Sequence, residues 1–222
     1  MFGGQEETDA EFDLFRGAEA RGKVLVIACG ALAREILVLS RGARDAFDVT
    51  CLPAQLHNRP DRIAEAVRGK IRANRARYEK IFCLYGDCGT GGALDAMLAE
   101  EGVERIAGPH CYQFFAGERA FSAMMDDQPG TFFLTDFLAR HFERLVIEGL
   151  GLDRFPQLRD DYFRAYTRLL YLAQTDDSGL DAKAEDAARR LGLAYERRFT
   201  GLGGLASFID KTQKAAEGAW AG

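Results

Sequence analysis

Ile81-Phe82-Cys83-Leu84-Tyr85-Gly86-Asp87-Cys88-Gly89-Thr90-Gly91-Gly92 is an apolar strand that runs into a loop holding four glycines and one thiol. A helical pattern over 93–100 follows at once. Glycine permits positive φ and close backbone approach, so strand, glycine loop and helix together describe a turn that cradles a ligand at the edge of an α/β sheet. Cys88 sets this loop apart from a phosphate loop, because anion binding needs no thiol, whereas metal coordination and thiol chemistry do.

Working outward, 23–28 is a continuous β-rich run that reads as a strand buried on both faces, with Cys29-Gly30 directly after it and a helical pattern over 31–40. A second strand is expected over 47–52, and His57 falls in the loop behind it, ahead of Pro60 at the start of a helix over 61–76. Ile63, Val67 and Ile71 recur every four residues in that helix. A short strand over 103–107 leads into His110-Cys111 and a helical stretch over 112–125. Strands over 131–135, 169–173 and 195–200 alternate with helices over 137–148, 155–164 and 182–191, and a glycine turn at 201–204 opens a terminal helix. The organisation expected is an N-terminal extension over 1–22, one α/β domain over 23–216 and a frayed tail over 217–222.

This alternation predicts an α/β fold of Rossmann-like, three-layer form: a mostly parallel sheet with helices on both faces and a ligand cleft outside the strand C-termini. Cys29, His57, Cys88, His110 and Cys111 each follow a predicted strand, so the fold would deliver all five to one edge as candidate metal ligands. Cys51 and Cys83 fall inside strands and read as small buried residues, and His141 reads as a helix-surface residue. Gly86, Gly89, Gly91 and Gly92 are the candidate cofactor-binding positions. Cys88 and Asp87 are the candidate catalytic pair, with Asp87 placed to orient His57 or His110 through the second ring N–H. Asp136, after a strand and before a helix, reads as an N-cap.

Other functions lack their signatures. The net charge is 29 − 34 = −5 and no basic block is interleaved with aromatics, which argues against nucleic acid as a partner. No apolar run approaches the ~20 residues that span a bilayer, and five cysteines without an export signal fit reduced thiols, so a cytoplasmic protein with no membrane partner is expected. A Gly-x-Gly-x-x-Gly turn after the first strand, a Walker lysine and a serine nucleophile elbow are all missing. Close Cys-x-x-Cys pairs are missing too.

Ala28-Cys29-Gly30-Ala31-Leu32, Leu56-His57-Asn58-Arg59-Pro60, Tyr85-Gly86-Asp87-Cys88-Gly89, His110-Cys111-Tyr112 and Pro129-Gly130-Thr131-Phe132-Phe133-Leu134-Thr135 together resemble the bacterial and archaeal family known as domain of unknown function 1638, over roughly residues 23–200. Its members are typically encoded beside corrinoid-dependent methyltransferases and corrinoid proteins. The resemblance implies a role near methyl transfer in one-carbon metabolism, with Cys29, His57, Cys88, His110 and Cys111 as functional positions. The leading expectation is a Cys/His-ligated metal site, zinc first and an iron–sulfur cluster as a variant, acting on a small-molecule methyl donor or acceptor. The alternative is a non-catalytic ligand-binding or accessory module that docks on a methyltransferase or corrinoid protein. The Asp-x-His-x-x-Gly motif for corrinoid ligation is not in the sequence.

Overall fold

The computed structural model describes residues 12–13, 24–40 and 47–218. Apart from residues 12–13, the expected N-terminal extension lies outside them, as does the tail beyond residue 218. The chain divides into two compact units, Met1–Pro109 with Phe208–Gly222, and His110–Ser207.

In the first unit, β2 (Val24–Cys29), β3 (Phe47–Leu52), β4 (Lys80–Leu84) and β5 (Glu104–Arg105) lie parallel, and β1 (Phe12–Asp13) adds an antiparallel edge on β3. The order is β1-β3-β2-β4-β5. Strand β2, a continuous apolar run, buries nearly every residue as expected in a parallel sheet, and β3 is buried throughout although it carries the polar Asp48 and Thr50. Alternation sends Leu25, Ile27, Ile81 and Cys83 to one face, where they meet α2 (Ile63–Asn74) through Ile63, Val67 and Ile71, and α3 (Ala93–Glu101) through Leu94, Met97 and Leu98. The opposite face carries Phe82, whose ring meets Phe208 edge-on at 6.2 Å. Phe208 belongs to α9 (Gly203–Gly218), the helix in which the chain passes from the second unit back to the first. The short helix α1 (Ala33–Leu39) buries Ile36.

The second unit is built on three parallel strands in the order β6 (Thr131–Thr135), β7 (Arg168–Ala173), β8 (Ala194–Phe199). One face packs Leu134, Leu169, Tyr171 and Ala173 against α6 (Asp136–Arg140), a π-helical stretch over Glu143–Glu148, and α8 (Ser178–Leu191). The other packs Phe133, Leu170 and Leu172 against α4 (Cys111–Ala116) and α5 (Glu118–Asp127). A short helix, α7 (Leu158–Phe163), precedes β7. The α/β class, the mostly parallel strands and the helices on both faces are therefore as the sequence predicts, realised as two sheets.

Several boundaries differ for local reasons. The helix expected over 112–125 breaks at Gly117, whose φ of 81° and ψ of 149° no helix contains, and so becomes α4 and α5. The helix expected over 137–148 stops at His141 and resumes with π geometry. Helix α8 starts four residues early because Asp177 caps it, accepting from the Gly179 and Leu180 amides at 2.9 and 3.2 Å. The cap of α6 is Thr135, whose hydroxyl accepts from the Leu138 amide, so the N-cap role expected of Asp136 falls one residue earlier.

Candidate functional site

The first unit is wound outward from β2. The chain goes from β2 to β3 on one side and then returns to place β4 on the other, so the strand order reverses between β2 and β4. Ligands of open parallel sheets bind outside the strand C-termini at this kind of reversal. Cys29 is the last residue of β2, and the glycine loop follows β4.

Cys88 has a φ of 49°, and it is the one non-glycine residue with positive φ among the described residues. A side chain held in this left-handed region costs roughly 1–2 kcal/mol, and such strain persists where the surroundings impose it. Here they are visible. The Asp87 and Cys88 amides donate to the carbonyls of Gly108 and Pro109 at 3.1 and 2.7 Å, and the Asp87 carboxylate accepts from the Gly91 and Gly92 amides at 3.2 and 3.0 Å and from the Thr90 hydroxyl. Thr90 accepts in turn from the Leu94 amide in the first turn of α3. Burial pulls the Asp87 carboxyl upward, but the hydrogen bonds of Thr90, Gly92 and Gly91 outweigh it and hold the pKa below the usual carboxylate value.

Asp87 thus closes its own loop. The amides at the start of α3 that would cradle a phosphate already hold a carboxylate, which weakens the case for an anionic ligand on the glycine loop. Gly89, Gly91 and Gly92 take positive φ and Gly86 does not. Replacing Asp87 by Asn leaves one acceptor oxygen and removes the charge from the closure, so any metal that Cys88 helps to hold is expected to bind about 10-fold more weakly to the variant, without unfolding. Equal affinities of the two proteins at matched pH would contradict this.

Two residues that sequence reasoning passed over complete the crevice. Tyr85 is 2% exposed. It stands opposite Cys29, one step beyond the register pair Ala28↔Leu84, and its hydroxyl is buried without a hydrogen-bond partner among the described residues. Arg105 braces the loops after β4 and β5: its guanidinium donates to the carbonyls of Ile106 and Gly108 at 2.7 and 3.1 Å and pairs with the Asp95 carboxylate at 2.5 and 2.8 Å. Gly30, after Cys29, has no room for a side chain, since a Cβ there would sit 2.9 Å from the Leu52 carbonyl oxygen.

The thiols differ in environment. Cys29 and Cys88 are partly buried, and both pack on the apolar cluster under α2 and α3. Burial raises the Cys29 thiol pKa, with the Ala31 amide and the Tyr85 hydroxyl acting in the opposite sense. Cys83 and Cys51 are wholly buried, as expected of strand cysteines. Burial pushes the Cys83 thiol up to about 12 from 9.0, against a smaller lowering by Arg105. A pKa raised on folding stabilises fully below pH 9 and is lost as pH rises toward 12. Stability should therefore fall above pH 9 by about 1.4 kcal/mol per unit, and Cys83→Ala should flatten that slope in denaturant titrations.

His57 lies exposed in a turn of 3-10 helix, Ala54–Asn58, behind β3 and therefore on the same edge. The neighbouring Pro60 faces Gly89, whose added Cβ would stand 3.7 Å away. His110 and Cys111 open the second unit. His110 occupies the N-cap position of α4 without a side-chain cap bond, and its ring tilts against Tyr112 at 5.9 Å. Among the described residues, no three His, Cys, Asp or Glu side chains stand together as a group able to hold one ion.

Of the protein-family models, the one described as "Protein of unknown function (DUF1638)" matches residues 51–209. The chain belongs to that family. Comparison of the DUF1638 chain with curated proteins and with solved structures finds no match. Among its described residues, no helix is long and apolar enough to cross a membrane.

Proposed function

We propose that this DUF1638 protein binds a soft metal ion, zinc first, at the β2/β4 reversal of its first unit, and serves corrinoid-linked methyl transfer in one-carbon metabolism. The observation that carries the proposal is the placement of Cys88: a thiol held on a strained left-handed residue, in a loop closed by Asp87, beside the strand end that presents Cys29. Sulfur donors of this kind suit zinc or iron over hard cations. Two thiols come from this edge, and His57 stands on the neighbouring loop. A remaining position would be left to substrate, as in catalytic zinc sites.

The protein residues divide the work. Cys88 supplies the thiolate, Asp87 fixes the loop that aims it, Arg105 braces the loops around it, and Tyr85 with Cys29 forms the inner wall. A bound zinc ion would keep a coordinated thiol deprotonated at neutral pH, the state needed for attack on a methyl donor. Metal analysis after anaerobic reconstitution of untagged protein tests the reading. Stoichiometric zinc supports it, and a visible absorption spectrum distinguishes an iron–sulfur cluster. If no metal is retained but a corrinoid protein co-purifies, the accessory role replaces it.

A further inference from the structure

Strand β8 forms one edge of the second sheet. Its ladder with β7 runs in the register Arg168↔Ala194, Leu170↔Glu196 and Leu172↔Arg198, and the Ala194 and Thr200 amides donate to the Thr167 and Ala173 carbonyls at 3.2 and 2.9 Å. In a parallel ladder alternate residues bond one neighbouring strand with both main-chain groups, so Tyr195, Arg197 and Phe199 turn their N–H and C=O groups outward. No described residue is bonded to those groups. The edge is open as well as unpaired: Ala194, Arg198 and Phe199 are exposed, Phe199 by 58%.

An open edge invites a further strand, and charges of one sign commonly keep strands away by repulsion. The charges of β8 do not suit that purpose. Glu196 and Arg198 share the sheet face of Leu170 and Leu172, and they carry opposite signs. Glu196 accepts from the Arg168 guanidinium at 2.6 Å through one carboxylate oxygen, and the other has no partner among the described residues. Arg198 stands in no ion pair with a described residue.

This pattern is complementary to itself. Hydrogen bonding between two antiparallel copies of β8 requires the outward residues to face one another, which allows two-fold registers centred on residue 196, 197 or 198. Centring on 196 opposes Glu196 to its own copy, and centring on 198 opposes Arg198 to its own copy; like charges directly opposite are destabilising. Centring on Arg197 opposes Glu196 to Arg198 on both sides of the axis, at non-hydrogen-bonded positions where side chains come closest. On the other face it opposes Tyr195 to Phe199, a favourable aromatic pair. Arg197 then meets its own copy, but its charge is already neutralised by Asp181 and Asp176 at 2.7 and 2.9 Å.

We propose that β8 is the interface of a two-fold homodimer, in which a second copy of this chain adds its β8 antiparallel about Arg197 and the two second-unit sheets become one. The partner is a second copy because the edge carries both halves of the charge pattern. The interface belongs to the second unit and does not depend on the metal reading.

The test is sedimentation equilibrium of the full chain from about 1 to about 100 μM, under reducing conditions so that no cysteine links copies. Wild type should show a reversible monomer–dimer equilibrium. Arg198→Glu turns both attractions into repulsions and should raise the dissociation constant at least about 10-fold, as should Glu196→Arg. An equimolar mixture of these two variants restores opposite charges at both positions and should associate within about threefold of wild type. Phe199→Pro removes an outward amide from each copy without changing the charge. Proline is tolerated where an edge N–H faces away from the sheet, so this variant should fold and dimerise at least about 10-fold more weakly. If Glu196→Arg does not fold beside Arg168, Glu196→Gln keeps the shape there and should weaken the dimer about threefold.

Wild type that stays monomeric over the whole range would overturn the proposal. A dimer that Arg198→Glu or Phe199→Pro leaves as tight as wild type would do the same, since its contact then lies elsewhere. A mixture of Glu196→Arg and Arg198→Glu that associates no better than either variant alone would also overturn it.

Discussion

Replacing Cys88 by glycine is expected to abolish stoichiometric metal binding while leaving the fold within about 1 kcal/mol of wild-type stability. The two effects have separate causes. Glycine adopts the φ of 49° at residue 88 without the left-handed penalty, and this relief offsets its greater loss of backbone entropy on folding. The sulfur itself is not replaceable. Binding energies of about 10–16 kcal/mol for four-ligand zinc sites amount to roughly 3 kcal/mol per ligand, so losing one thiolate should weaken affinity more than 100-fold. Ordinary core cysteines behave otherwise: Cys51→Ala should change stability and leave metal uptake as it was. Retained metal affinity in Cys88→Gly would remove Cys88 from the site.

The second large effect is expected in the other unit. Asp136 is fully buried, and its carboxylate accepts from the Tyr171 hydroxyl at 2.7 Å, the Gln174 amide at 2.9 Å, and the amide and hydroxyl of Thr175 at 3.0 and 2.5 Å. Arg140, one turn along α6, stands 3.9 Å away. The carboxylate therefore ties the end of β6 to the end of β7. Burial, and then the neighbouring Asp136, raise the Tyr171 pKa and keep that hydroxyl a donor. Asp136→Ala strands these donors together, and the expected loss is about 3–5 kcal/mol. At the usual scaling for a chain of this size, the midpoint of the transition that includes this unit should fall by roughly 10 °C. A loss below 1 kcal/mol would show that water or a rearranged Gln174 replaces the carboxylate.

These two residues also mark where the sequence was legible. Cys88 stands out because glycines surround it, and a thiol in a turn rich in positive φ is unusual in one dimension as well as in three. Continuous apolar runs revealed the buried strands, since parallel strands covered on both faces have no polar alternation to hide them. Asp136 gave no such signal. An aspartate between a strand and a helix looks like an ordinary cap, and only the pairing of β6 with β7 brings Tyr171 and Thr175 to it. Tyr85 and Arg105 were hidden for the same reason. Tyr85 looks like one more apolar residue, and its significance depends on β2 and β4 being neighbours. The strand order itself is set by tertiary packing, so the reversal that singles out Cys29 and Cys88 could be placed only in the folded chain. Gly117 and Asp177, by contrast, carry local signals for a helix break and a helix start, and weighing them more heavily against the helical periodicity would have placed α5 and α8.

The account depends most on a metal held between the ends of β2 and β4. Crystals of the full chain grown anaerobically with zinc, measured on both sides of the zinc absorption edge, give the direct answer as an anomalous-difference map. The expected result is a peak at about 2.3 Å from the sulfurs of Cys88 and Cys29. Saturated crystals with no peak at either sulfur, or with zinc held only by other side chains, would contradict it.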